Sequence, residues 1–169
     1  MLIIRLSKVA FVAAIALFAT LVAIENICYS SINFAYVYHV FLMDTVFPNA
    51  PTKWRAIDND TIQHIGYWCI VTFETLTAIL CWVGCIFMAV KINAPKNVFQ
   101  LSKRVAIAGL AIGFLVWHIA FMSVGGEWFG MWMSKEWNGV PDAFRFFITI
   151  ILVLIYLVMP DEKIKAEEV

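Results

Sequence analysis

Charge is what this sequence has least of. Asp, Glu, Lys and Arg make up 14% of its 169 residues, against about a quarter in an ordinary soluble domain. Twelve basic residues cancel twelve acidic ones, so no basic surface is on offer to nucleic acid. The four cysteines, Cys28, Cys69, Cys81 and Cys85, form no CxxC and no Cys/His cluster, which excludes a zinc site and a four-helix membrane thiol oxidoreductase. Free thiols are expected, and a Cys28–Cys69 disulfide is not favoured. There is no HExxH, no Ser/His/Asp arrangement within the apolar segments and no Gly-rich phosphate loop after a strand. Internal repeats and a soluble domain are absent too.

What the chain has is hydrocarbon. Hydrophobic residues account for 63% and mean hydropathy is +0.85, the composition of an integral membrane protein. Four apolar segments stand out, Val9–Ile24, Tyr67–Val90, Val105–Val124 and Ala143–Met159. Each approaches or reaches the ~20 residues a helix needs to cross a bilayer, with Arg5, Lys8 and Arg145 able to snorkel at the shorter ones. The expected architecture is all-α: one polytopic domain over 1–169, a four-transmembrane-helix bundle with interfacial helices in its outer loops. Its spans are read at 9–25, 64–90, 105–125 and 143–159, its outer loops at 26–63 and 126–142, its cytoplasmic loop at 91–104 and its cytoplasmic tail at 160–169. The first segment has no A-x-A cleavage pattern and reads as an uncleaved anchor.

Aromatic residues gather on the outer side: Trp54, Trp68, Trp128, Trp132 and Trp137, with Tyr29, Phe34, Tyr36, Tyr38, Phe41, Phe47 and Tyr67. That concentration suits outer loops lying along the interface. "NFAYVYHVFLM" has the spacing of an interfacial helix, and Trp128 and Trp132 stand one helical turn apart. "DTIQ" at Asp60 reads as a cap, "GGEWF" as the end of the third helix, and Pro141 as first-turn proline of the fourth.

The second span carries an acid, Glu74, near its centre, where insertion costs roughly 2.5–3.5 kcal/mol. Tyr67, Val71, Glu74, Ala78, Cys81, Cys85 and Met88 recur at steps of four and three, so this face should point into the bundle. Counted at 1.5 Å per residue, Glu25 and Glu74 lie roughly 24 Å above the inner end, Arg145 roughly 21 Å and His118 roughly 20 Å. These four define an expected polar intramembrane layer. It could be a clasp between helices, or a proton or ligand site with Tyr67, Trp68 and Trp117 as walls. On the third span, Gly109 and Gly113 lie roughly 140–180° around the helix from His118; they read as a helix-packing face, or as a docking face for a partner.

His39 falls in the outer loop and His64 at the start of the second span, so bis-imidazole haem ligation is not expected. No metal and no catalytic residues are expected; a quinone or a lipid is the cofactor class the polar layer could take.

The segments "NFAYVYHVFLMDTVFPN", "KWRAI", "YWCIVTFETLTAILCW", "GGEWFGMW", "KEWNG" and "AFRFF" together resemble a bacterial family of predicted small integral membrane proteins, a domain of unknown function. The resemblance covers nearly the whole chain and implies four spans in a bacterial inner membrane, without implying an activity. Two functions are expected from different classes. One is a non-enzymatic accessory or interaction subunit of a larger membrane complex, or a homo-oligomer. The other is a ligand-handling protein that binds a quinone or lipid, or passes protons, at the outer polar layer.

Orientation follows from Arg5, Lys8, Lys91, Lys96, Lys103, Arg104, Lys163 and Lys165 on one side, against Lys53, Arg55, Lys135 and Arg145 on the other. The richer side is expected in the cytoplasm with both termini. A C-terminal fusion to a reporter active only outside the cytoplasm should therefore stay silent, and activity there would invert the topology.

Overall fold

The computed structural model describes residues 2–161; positions 162–169 of the expected tail lie outside the described residues. Its helices are α1 (Leu2–Cys28), α2 (Ser30–Leu42), α3 (Asp60–Val90), α4 (Lys96–Ser102), α5 (Arg104–Leu115, continuing as a wider coil over Val116–Trp128) and α6 (Val140–Val158). Short 3₁₀ turns occupy Lys53–Arg55 and Met131–Met133, and no strand occurs among the described residues. Four helices are long and apolar enough to cross a membrane: Leu2–Cys28, Asp60–Val90, Lys96–Trp128 and Val140–Val158. The chain is thus an all-α four-span bundle. Its helices extend past the apolar segments because caps and polar ends carry the coil beyond the hydrocarbon.

Local chemistry sets the ends. Asn59, one residue before the expected cap, accepts the Ile62 amide at 3.0 Å, and Gln63 donates to the Ile57 carbonyl at 2.8 Å. Pro141 sits in the first turn of α6. The third span does not end at Gly125–Gly126. From Val116 its coil widens to i→i+5 bonding, as where the Phe129 amide reaches the Val124 carbonyl at 3.0 Å. A Cβ on Gly125 or Gly126 would stand 3.2 Å from the carbonyl oxygen five residues back, so the glycines ease the widening. The stop is Gly130, whose φ of +66° reverses the chain and separates Trp128 from Trp132.

The α3 stripe from Tyr67 to Met88 is buried throughout: Tyr67, Val71, Glu74, Ala78, Cys81, Cys85 and Met88. This face turns to α1 on one flank and to α5 on the other. A Cβ on Gly84 would stand 2.3 Å from the Ala106 nitrogen; one on Gly109, 2.9 Å from Cys81; one on Gly113, 2.8 Å from Thr77. Gly109 and Gly113 therefore pack inside the bundle, against α3, because antiparallel helices this close admit only hydrogen at the contact. Below them a core of Val12, Ala16, Cys85, Met88, Leu110 and Leu157 fills the space among the four spans.

Both ends of the described residues, around Arg5 and Asp161, meet at one face of the bundle, here the terminal face. Arg5 and Lys8 are buried there rather than snorkelling. Arg5 donates to the carbonyls of Ile92 and Ala94, each at 2.7 Å. Asp161 accepts from Lys8 at 2.7 Å and from Lys103 at 3.0 Å. Burial alone would raise the Asp161 carboxyl, but the two ammonium groups hold it below the usual carboxylate range. All four cysteines are unpaired, with Cys28 and Cys69 exposed.

The close α3–α5 crossing predicts an ordered mutational response. Gly84→Ala should lower unfolding stability in detergent by about 2 kcal/mol, as backbone must move. Gly66→Ala, whose new methyl meets only the Phe41 ring, should cost less, and equal losses would mean that the crossing is loose.

Candidate functional site

The register of α3 against α5 creates a cavity. Moving toward the loop face, opposite the termini, Gly84 meets Ala106, Cys81 meets Gly109 and Thr77 meets Gly113. One turn further, Glu74 comes level with Trp117, and both line the same spaces. Where the small residues stop and an indole begins, the helices can no longer touch. A cavity of about 320 Å³ opens there between α1, α2, α3, α5 and α6.

Its chemistry is one-sided. Glu25, Glu74 and Asp142 line it with Asn26, Asn33, Tyr36 and Tyr67, while Trp117, Phe121 and Phe146 form an aromatic wall; among the described residues no lysine, arginine or histidine lines it. Glu74 is the deepest acid, 3% exposed. Its Oε2 accepts from the Asn26 amide at 2.7 Å, whereas its Oε1 is buried with no partner. Beneath it a void of about 10 Å³ reaches Thr77 and Gly113, at the lower size limit for one water.

Three other polar side chains around the cavity are directed at the protein itself. Tyr67 gives its hydroxyl proton to the Asn26 carbonyl at 2.6 Å, and Asn33 donates to the Glu25 carbonyl at 3.2 Å. Tyr36 points its hydroxyl at the Met131 sulfur, 3.2 Å away, over Gly139, where a Cβ would come within 2.3 Å of that oxygen. Burial, then the Asp142 charge, push the Tyr36 pKa up to about 12, so it stays a neutral phenol.

Of the expected polar layer, Glu25 and Glu74 share this cavity, with Tyr67 and Trp117 among its walls. Arg145 is not brought to Glu74. Its side chain is 70% exposed and pairs with Asp142, because the buried face of α6 runs through Ala143 and Ile150, and Arg145 falls off that face. His118 is also turned away. It stacks on Phe114 with ring centroids 5.3 Å apart and meets Phe147 edge-on, since Trp117, one residue earlier, holds the position facing Glu74. Trp68 is 45% exposed and outside the cavity. Asn26 and Asp142 are not among the residues the sequence singles out: Asn26 is uncharged, and Asp142 stands in the first turn of α6, where an acid has a helix-end role of its own. The signal available was that Asn26 adjoins Glu25 at the depth of Glu74.

Fold and cavity together define a class, that of a four-span helical membrane protein with an acidic, aromatic-walled cavity in one half of the bundle. More particularly, the chain belongs to the family described as predicted small integral membrane protein (DUF2165), whose model matches residues 4–160. Comparison with curated proteins and with solved structures returned no match.

The Tyr67 bond ties α1 to α3 beside the cavity. Tyr67→Phe should cost about 1 kcal/mol in chemical denaturation in detergent, and an unchanged midpoint would show that this bond does not hold the helices together.

Proposed function

We propose that this integral membrane protein is a ligand-handling protein whose loop-face cavity binds a group carrying a cationic nitrogen. The observation that carries the reading is Glu74: a nearly fully buried carboxyl with one oxygen unpartnered, in a cavity that Glu25 and the Arg145-paired Asp142 also line and to which no described lysine, arginine or histidine contributes lining. Ionising a carboxyl this deep with no cation beside it is costly, and a ligand cation would offset that cost. The walls agree, since Trp117 and the phenyl rings offer π faces to an ammonium group in a low-dielectric site.

A quinone fits the same cavity poorly. Its carbonyls carry no positive charge to answer the Glu74 carboxyl, and one N–H of Asn26, one of Asn33 and the Tyr67 hydroxyl are already directed at protein acceptors. Proton passage lacks a route, because below Glu74 the void ends at Thr77 and Gly113 and an apolar core separates it from Lys8 and Lys103. The reading is therefore binding rather than transport or chemistry. The basic asymmetry of the loops supports a cytoplasmic terminal face, which turns the cavity mouth to the outside of a cytoplasmic membrane. The accessory-subunit reading has less support, since Gly109 and Gly113 pack on α3 and leave no glycine face free for a partner.

The test is thermal stability of the detergent-solubilised protein titrated with tetramethylammonium chloride, with sodium acetate as control. A saturable rise specific to tetramethylammonium is expected, abolished by Glu74→Gln and retained by Glu136→Gln, which removes an exposed acid outside the cavity. Equal responses to both salts, or an undiminished response in Glu74→Gln, would overturn the proposal.

A further inference from the structure

The acidic cavity does not stand alone. A second space of about 250 Å³ shares Tyr36, Val37, Ile70 and Phe121 with it. A third, of about 310 Å³, shares Cys69, Ile70, Ile119 and Ala120 with the second. Ile70 lines all three. Among the described residues no carboxylate, ammonium or imidazole lines the second and third spaces, whose walls come mainly from α3 and α5 and, in the second, also from α2 through Tyr36, Val37, Val40 and Phe41.

Their origin is the same as that of the cavity. Above Gly113 the α3–α5 crossing opens, Trp117 fills one side of the gap, and the other side is left as an apolar trough. Along α3 the trough runs from Gly66 to Phe73 and along α5 from Val124 down to Ile112. At 1.5 Å per residue the α3 edge is roughly 10 Å, and the α5 edge, part of it in the wider and so shorter coil, is under about 18 Å, comparable with the ~15 Å depth of one leaflet of a ~30 Å hydrocarbon core.

The geometry points to an amphiphile as the ligand: a cationic-nitrogen head in the acidic cavity and a single hydrocarbon chain in the adjoining trough between α3 and α5. This rests on the reading of the cavity given above. Charge complementarity selects the head, because Glu25 and Glu74 line its site with no base among the described lining residues, while the third acid, Asp142, is paired with Arg145 outside it. The cavity and the trough have Tyr36, Val37, Ile70 and Phe121 as common walls, and this adjacency favours one molecule over two. A bilayer lipid with an amine-bearing headgroup and a free long-chain amine offer the same chemistry.

The experiment compares decyltrimethylammonium with tetramethylammonium on the full chain in nanodiscs of phosphatidylglycerol, reading the dissociation constant from tryptophan fluorescence. The long-chain compound should bind at least about tenfold tighter. In a Cys28→Ser background, Cys69 is the remaining exposed thiol, and it lines both trough chambers. Alkylating it with a bulky maleimide after folding should erase the tenfold advantage and leave tetramethylammonium binding intact. Ala120→Trp should do the same.

Repeating the titration in phosphatidylcholine nanodiscs distinguishes the source. A weakened decyltrimethylammonium affinity there supports a bilayer lipid as occupant, and an unchanged one supports a free amphiphile. If tetramethylammonium binds but the chain advantage is absent or survives alkylation, the amphiphile inference fails and the cavity reading stands. If tetramethylammonium itself does not bind, both fail.

Discussion

Everything above the middle of this bundle depends on the close approach of α3 and α5 at Gly84, Gly109 and Gly113. Transmembrane helices gain little from apolar burial against each other, since lipid tails are as apolar as their side chains, so backbone proximity and packing must hold them. The three glycines permit that proximity over about two turns of α5 and lock the rotation of α3. Once locked, α3 has no freedom to turn Glu74 toward lipid. The same contact line then runs out at Trp117, and the separation it forces creates the cavity in which Glu74 is left.

The two ends of the bundle treat buried charge in opposite ways. At the terminal face Lys8 and Lys103 share Asp161 and Arg5 reaches backbone carbonyls, so each buried charge has a partner and the end is closed. At the loop face Glu74 has an amide on one oxygen and nothing on the other. A protein that needed only a clasp would have no use for the free oxygen, because leaving a buried acceptor unpaired costs about 1–3 kcal/mol. The Arg5 Nε is unpartnered too, so the asymmetry is one of charge: the buried acid of the terminal face meets two ammonium groups and the buried acid of the loop face meets none, which favours a cationic ligand for the cavity.

The limits of sequence reading show in particular residues. Counting depth along ideal helices put Glu25, Glu74, His118 and Arg145 in one slab, and depth is what a 1.5 Å rise gives. Depth does not say which way a side chain faces, and here the facing decided membership. Trp117 takes the inward position beside His118, and Asp142 takes the cavity lining while Arg145 swings outward to pair with it. Asn26, the hydrogen-bond partner of Glu74, was invisible to a search for charged groups.

The sequence by itself determined four membrane-crossing helices, the buried stripe of α3 and the presence of a carboxylate on it, because hydrophobic run length and 3.6-residue periodicity are properties of the chain alone. Only the tertiary structure decided that the glycines of α5 meet α3, that the third span widens after Val116, and that three acids and, among the described residues, no base line one cavity. Those outcomes depend on the relative rotation of helices distant in sequence, which is set by how their surfaces fit and is written in no single segment.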